Sequence, residues 1–226
     1  MSACLTFPPG PGSTPAAGSS LMSSQAASLR ALTRQTIAAY DDEAQAYAEA
    51  TRHLQVPDRD VFLSFLPEAS HILDAGCGSG RDALAFLESG HTVEAFDGSS
   101  ALAEQARLLT GLDVTTTRFQ DYSAHSTFDG VWAMASLLHV PRSELDDCFD
   151  RLVAALKPGG HLFCCFKDGH ADRVDRGRHF TDMSPAALKQ LCARSDLVPV
   201  RLWSSFSGRL GAEVKWNNMV AWKPNF

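Results

Sequence analysis

Residues 72–82 read Ile72-Leu73-Asp74-Ala75-Gly76-Cys77-Gly78-Ser79-Gly80-Arg81-Asp82, an apolar run, then a loop with glycine at every second position, then polar residues that open a helix. A strand that stops at glycines lets the backbone take positive φ and lets a ligand approach main-chain N–H groups, because no Cβ stands in the way. At the carboxyl end of a buried strand, such a loop floors a nucleotide-type pocket. Gly76, Gly78 and Gly80 spell G-x-G-x-G, whereas a dinucleotide loop places its third glycine one residue later, where this chain has Arg81. The spacing disfavours a pyrophosphate, and with it a nicotinamide-dependent oxidoreductase.

Working outward, the strand-like run His91 to Phe96 ends in Asp97, about 20 residues past the glycines, where a carboxylate can accept from both hydroxyls of a ribose. A third run, Val114 to Phe119, ends at Gln120-Asp121-Tyr122. The alternation predicts strand 71–75, helix 80–89, strand 91–97, helix 99–109, strand 113–118, strand 128–135, helix 142–155 and strand 161–167. Elements of these lengths in this order argue a parallel sheet covered on both faces. Beyond it, Asp168 to Arg178 is a charged, glycine-containing loop, and Ser184-Pro185 is an N-cap and first helical residue for a helix to about Arg194. Two final runs, Leu197 to Phe206 and Glu213 to Trp222, are joined by a turn short enough to connect antiparallel strands only.

Taken with Phe96-Asp97, Gln120-Asp121, Phe128-Asp129-Gly130-Val131-Trp132 and Leu156-Lys157-Pro158-Gly159-Gly160, the glycine loop resembles the class I S-adenosylmethionine-dependent methyltransferases, in order and in spacing, over roughly Arg34 to Lys223. Within that superfamily the chain is most similar to small bacterial enzymes of the tellurite-resistance type, which act on small molecules. The resemblance implies a Rossmann-like α/β fold, a seven-stranded, mostly parallel sheet with one antiparallel strand and helices on both faces. It also implies S-adenosylmethionine as cofactor.

Composition sets bounds on partners. With 226 residues and 45% hydrophobic content the chain can bury one substantial core, and a formal charge of −6 lacks the basic footprint of a protein that follows phosphate backbones. Nucleic acid is therefore not expected as substrate, and Ala133-Met134-Ala135-Ser136 at the end of the fourth strand lacks the Asn/Asp-Pro-Pro-aromatic pattern of nucleic-acid amino-methyltransferases. Six cysteines, Cys4, Cys77, Cys148, Cys164, Cys165 and Cys192, stand without a C-x-x-C pair and read as buried thiols, with no metal site expected. No stretch approaches the ~20 apolar residues of a membrane span. A cytoplasmic monomer or dimer without membrane partners is the expectation. Residues 1–23 are Pro/Gly/Ser-rich and read as a flexible leader, with the catalytic domain at 24–226 and a helix over Ser24 to about Arg52 at its start.

The resemblance assigns the cofactor site. Asp97 is expected to take the ribose hydroxyls, Gly76 and Gly78 to pass the ribose and methionine portion, and Asp74 to fix the loop or receive the cofactor ammonium. Gly80 serves the loop or helix packing. Asp121, flanked by Gln120 and Tyr122, is the candidate acceptor for the adenine amino group, with Gly98 and Ser99 beside the ring. Ala135 and Ser136 end the strand where cofactor meets acceptor. Tyr40 and Tyr47, on the first helix, either touch the cofactor or pack. On the acceptor side His139 is either a general base or a helix-entry residue before Pro141. Arg178, His179 and Trp216 are acceptor-site candidates, although an ion pair of Arg178 with Asp175 or Asp182 is as economical. An S-adenosylmethionine-binding protein without turnover is the alternative from another class.

Overall fold

The structure, a computed structural model, describes residues 17–209 and 212–225. Nine strands and seven helices are assigned among them: α1 Ala17–Asp42, α2 Ala44–Thr51, α3 Asp58–Leu63, β1 His71–Ala75, α4 Arg81–Glu88, β2 Thr92–Asp97, α5 Ser100–Thr110, β3 Thr115–Thr116, β4 Phe128–Ala133, α6 Arg142–Ala155, β5 Leu156–Lys167, β6 Asp172–Asp175, β7 Arg178–Thr181, α7 Pro185–Arg194, β8 Val198–Arg209 and β9 Ala212–Trp222. A 3₁₀ turn, Leu137–His139, follows β4.

One sheet runs in the order β3-β2-β1-β4-β5-β9-β8. The pairs β3–β2, β2–β1, β1–β4 and β4–β5 are parallel, while β9 lies antiparallel to both β5 and β8. This is the expected seven-stranded sheet with one reversed strand. Because the chain leaves β1 toward β2 on one side and returns as β4 on the other, the order reverses at β1. Crevices form at such a switch point, outside the carboxyl ends of the strands.

Strands in a sheet covered on both faces are apolar throughout, with neighbouring residues sent to opposite sides. Ile72 and Leu73, Val131 and Trp132, and Leu162 and Phe163 divide in this way between two clusters. Leu73, Val131 and Leu162 meet Leu145, Phe149 and Leu152 of α6 and Leu188 and Leu191 of α7. Ile72, Trp132 and Phe163 meet Phe62 of α3 and Phe86 of α4. Each of these fully buried side chains contributes ~1.5–3 kcal/mol relative to exposure.

Local chemistry sets several boundaries. The Ser99 and Ser184 side chains accept from Leu102 N and Ala187 N, capping α5 and α7, and Gly111 ends α5 at φ 73°. Other boundaries differ from the sequence reading. The single helix expected over Ser24 to Arg52 is broken at Glu43 (φ −108°, ψ 8°) into α1 and α2. α1 begins at Ala17, so residues 17–23, read as leader, are helical, and residues 1–16 lie outside the described residues. Past Pro15 no proline interrupts the run, which leaves the backbone free to extend the helix. The predicted Asp168–Arg178 loop contains the strand β6, which pairs antiparallel with β7 beginning at the loop's last residue. Arg173 of β6 pairs with Asp182, the residue after β7, and Arg142 of α6 pairs with Asp172, contacts that no alternation announces.

Candidate functional site

The carboxyl ends of β1, β2 and β4, with α1 and α2 above them, enclose a cavity of ≈ 120 Å³ that opens to solvent at its mouth. Its floor is the glycine loop. Gly76 has φ 76°, and a Cβ there would come within 2.5 Å of Ser136 Cβ. Ser136 cannot easily retreat, since its hydroxyl donates to Ala75 O at 2.6 Å. Gly78 (φ 56°) faces the Tyr47 ring, which a Cβ would meet at 3.4 Å. Gly80 (φ 85°) is different: it is not part of the cavity wall, and its Cβ would stand 3.0 Å from the Ala106 backbone, so it serves the packing of α4 on α5.

Asp97 closes the loop from β2. Its Oδ2 accepts from Gly78 N and its Oδ1 from Ser99 N, each at 2.8 Å. Enclosure raises its pKa to about 6, against the opposing pull of these N–H groups. Asp41 of α1 accepts from both Ser99 Oγ (2.6 Å) and Ala101 N (3.0 Å), tying the roof helix to α5 beside the loop. Asp74 at the end of β1 is 2% exposed, and its Oδ2 has no hydrogen-bond partner among the described residues. Burial and the neighbouring Asp82 raise its pKa well above the ordinary carboxylate value.

Thr33, Thr36, Ile37 and Tyr40 line the opposite wall at helical spacing on α1. Across from them stands His139. Its Nδ1 lies 2.6 Å from the carbonyl of His179, which can only accept, so Nδ1 carries the proton and Nε2 accepts from the Tyr40 hydroxyl at 2.8 Å. Burial lowers the His139 pKa to about 4, and Arg178, Lys167 and His179 nearby push the same way. The ring is a neutral link between a backbone carbonyl and a tyrosine.

Of the residues singled out in the sequence, Tyr40, Asp74, Gly76, Gly78, Asp97, Gly98, Ser99, Gln120, Ala135 and His139 all line this cavity. Ala135 does so at a positive φ of 51°, its N–H on Cys165 Sγ at 3.1 Å. Asp121 and Tyr122 are not part of the wall. Asp121 is held by Arg118 at 2.6 Å one turn away, and Tyr122 stacks on Phe96 with ring centroids 4.4 Å apart. The acidic residue after the third strand is thus spent on its own turn, and Arg118, Phe119 and Gln120 face the cavity instead.

Nor do the three acceptor candidates reach it. Arg178 lays its guanidinium over the Tyr40 ring at 4.2 Å and pairs with Glu43, in place of the anticipated Asp175 or Asp182. His179 is buried, donating through Nε2 to Thr181 Oγ1, which itself donates to Val140 O. Trp216 donates to Ser207 Oγ at 2.8 Å on the β8–β9 ribbon. Arg178 and His179 act on the cavity through Tyr40 and His139, one layer behind its wall. Sequence reasoning gave no role to Arg81, Asp82, Thr33 or Thr36; the i, i+3, i+4, i+7 stripe on α1 was the legible signal for the last two.

No helix of the described residues is long and apolar enough to cross a membrane. A family model described as a methyltransferase domain matches residues 72–160. The methyltransferase GfsG of Streptomyces halstedii is 32% identical over 135 residues, spanning 55% of this chain and 45% of that protein, so the chain matches under half of its relative's length. Among solved structures, the 1,6-didemethyltoxoflavin-N1-methyltransferase of Burkholderia thailandensis, with bound 1,6-didemethyltoxoflavin and S-adenosylhomocysteine, is 22% identical with a TM-score of 0.69, covering 95% of this chain and 94% of its own. The [4+2]-cyclase SpnF is 18% identical at a TM-score of 0.61, covering 73% and 79%. Residues 72–160 thus match a methyltransferase domain, and the chain shares the class I methyltransferase fold of these solved structures.

Proposed function

We propose that this protein transfers the methyl group of S-adenosylmethionine to a small-molecule acceptor. The observation that carries the reading is Asp97, whose two oxygens bind the loop N–H groups of Gly78 and Ser99 at the mouth of a crevice built on the sheet's switch point. The residues fit the cofactor's parts. Asp97 offers its remaining lone pairs to a ribose diol, Gly76 and Gly78 leave room that a side chain would fill, Gly98, Ser99 and Gln120 border the ring, and Asp74 holds a buried oxygen with no partner among the described residues. Tyr40 and Ala135 border the junction of cofactor and acceptor.

S-adenosylmethionine supplies a methyl group on a sulfonium, which leaves as a neutral thioether. An in-line displacement of this kind asks the protein to align two reactants and to exclude water, a service worth several kcal/mol. Tyr40, Thr33 and Thr36 on α1 and His139 and Val140 after β4 wall the space left for the acceptor. Acceptors to be tested are thiols, oxyanions, phenols, carboxylates and natural-product intermediates. The finer likeness to tellurite-resistance-type enzymes rests on Arg178-His179 and Trp216-Asn217 and adds chalcogen oxyanions to that set.

Release of S-adenosylhomocysteine over an acceptor panel tests the reading. Tight cofactor binding without product from any acceptor would favour a binding protein or another reaction, as the shared fold of a [4+2]-cyclase allows. For the site itself, Asp97→Ala is expected to weaken S-adenosylmethionine by roughly 1.5–3 kcal/mol, the scale for hydrogen bonds to a charged group. Because the carboxyl titrates at about 6, cofactor affinity of the native protein should fall as pH drops through that value, and the variant should lack this step. Calorimetry finding equal affinity and equal pH dependence in a folded Asp97→Ala protein excludes the assignment.

A further inference from the structure

Lys167 is the last residue of β5, the strand beside β4, and the chain past β4 supplies Ala135, Ser136 and His139 to the cavity wall. Its carbonyl accepts from Met183 N, which folds the segment after β7 over the strand end, and its register partner on β9 is Trp216. Lys167 Nζ therefore lies 3.9 Å from the ring centroid of Phe180 and 5.7 Å from that of Trp216. Phe180 also packs on His139, with ring centroids 4.8 Å apart, so the lysine stands one ring behind the acceptor side of the cavity.

The cations around it are committed. Arg173 holds Asp175 and Asp182, Arg142 holds Asp172, Lys215 holds Asp168, and Arg178 holds Glu43. Lys167 is half-buried, yet among the described residues its Nζ forms neither an ion pair nor a hydrogen bond. It feels Asp175 and Asp182 only at a distance, Arg173 having claimed both, and Arg173 and Arg178 repel it. Burial lowers its pKa, a cost that two ring faces offset only in part. A partly dehydrated ammonium beside two flat apolar rings complements an anion carried on a planar apolar body. One uncompensated charge suits a monoanion, a carboxylate rather than a phosphate.

We propose that Lys167 holds the carboxylate of the methyl acceptor on the Phe180–Trp216 platform, so that the acceptor is a planar aromatic or unsaturated carboxylic acid. The carboxylate is a handle and not the methylated atom, because Lys167 is not part of the cavity wall. The inference rests on the methyl-transfer reading above and narrows its acceptor class.

Benzoate and its neutral isostere benzamide are the probes, and neither requires the acceptor to be identified. Each is titrated into the whole chain, with and without saturating S-adenosylhomocysteine, while NMR follows the indole N–H resonance of Trp216, identified by its loss in Trp216→Phe. Benzoate should shift this resonance saturably, and benzamide should bind at least about fivefold more weakly. Lys167→Met should weaken benzoate about 5- to 30-fold, the lower part of the range for bonds between charged groups because the ammonium is half-exposed. The same variant should leave benzamide within about twofold, and Lys167→Arg, which keeps the charge, should retain most of the benzoate affinity. In turnover, aromatic acids should be methylated in preference to their amides, with Lys167→Met erasing the preference through KM and sparing kcat. Absence of a saturable benzoate shift, equal weakening of both probes in a folded Lys167→Met protein, or a turnover preference for amides overturns the inference. S-adenosylhomocysteine binding is read in the same samples by calorimetry. Its absence marks failure of the cofactor reading itself, and the acceptor assignment then falls whatever benzoate does.

Discussion

Gly76→Ala is expected to lose cofactor binding and to cost about 2–5 kcal/mol of stability, more than any other single methyl added to the loop. Two costs add at this position. Alanine at φ 76° pays the left-handed penalty of roughly 1–2 kcal/mol. Its Cβ would also sit 2.5 Å from Ser136 Cβ, in a contact that real structures do not sustain. Overpacking of this kind costs about 1–3 kcal/mol when the neighbour is held, and Ser136 is held by its bond to Ala75 O, the last residue of β1. Relief by moving Ser136 would drag Ala135, already at a positive φ, and with it the end of β4. Either way the floor and the far wall of the cavity shift together. At Gly78 (φ 56°) an alanine pays the same left-handed penalty of roughly 1–2 kcal/mol. Its Cβ meets the Tyr47 ring at 3.4 Å and clashes with nothing, so Gly78→Ala should cost less than Gly76→Ala and leave the fold in place. Thermal unfolding and calorimetry on the two variants check the contrast; a Gly76→Ala protein as stable as the native one, with unchanged cofactor affinity, would show that the loop is not rigidly coupled to β4.

That coupling was visible in the sequence only in part. Glycine at every second position, flanked by an apolar strand and a polar helix start, is a local signal, and the loop, α4, α6 and α7 follow it or similar signals closely. Ser184-Pro185 places the start of α7 for the same reason, since cap and first-turn chemistry act within four residues. What escaped the reading depends on partners distant in sequence. The β6–β7 ribbon is polar and its Val174 is exposed, so no alternation marks it; it is held by Arg142 from α6 on Asp172 and by Asp182, the residue after β7, on Arg173. Asp121 follows a strand as Asp97 does, yet Arg118 three residues earlier captures it, and a sequence cannot weigh a ligand against a neighbouring arginine. Arg178 was expected to pair within its own ribbon, and Glu43 at the α1–α2 break claims it instead. His139 was read as base or turn residue, and both alternatives missed that its two nitrogens are committed to partners 40 and 99 residues away.

The commitment of both nitrogens sets the expectation for His139→Ala: a loss of about 2–4 kcal/mol of stability and a fall in turnover that is the same at every pH. A general base needs a free lone pair and a pKa near the working pH. Here Nδ1–H is bonded to the His179 carbonyl, Nε2 is bonded by the Tyr40 hydroxyl, and the pKa is held at about 4 by burial among cations. Among the described residues no carboxylate bonds the ring to stabilise an imidazolium, so protonation would leave a buried charge facing Arg178 and Lys167. The role that fits is orientation: the ring fixes the hydroxyl of Tyr40, a residue of the cavity wall. Removing the imidazole leaves a void and an unpaired buried hydroxyl, and both carry a known cost. Stability supplies an independent check on sign. A histidine whose folded pKa lies below its unfolded value of about 6.5 destabilises the fold as pH falls from there toward 4, because only the unfolded chain takes up the proton over that window. His139→Ala should therefore be less stable than the native protein at pH 8 and lose less further stability between pH 6.5 and 4. Turnover measured with an acceptor that must lose a proton completes the argument. A deficit that shrinks steadily as pH rises through the acceptor's own pKa would restore His139 as the base, whereas a constant deficit, matched by Tyr40→Phe, leaves alignment of the two reactants as its contribution.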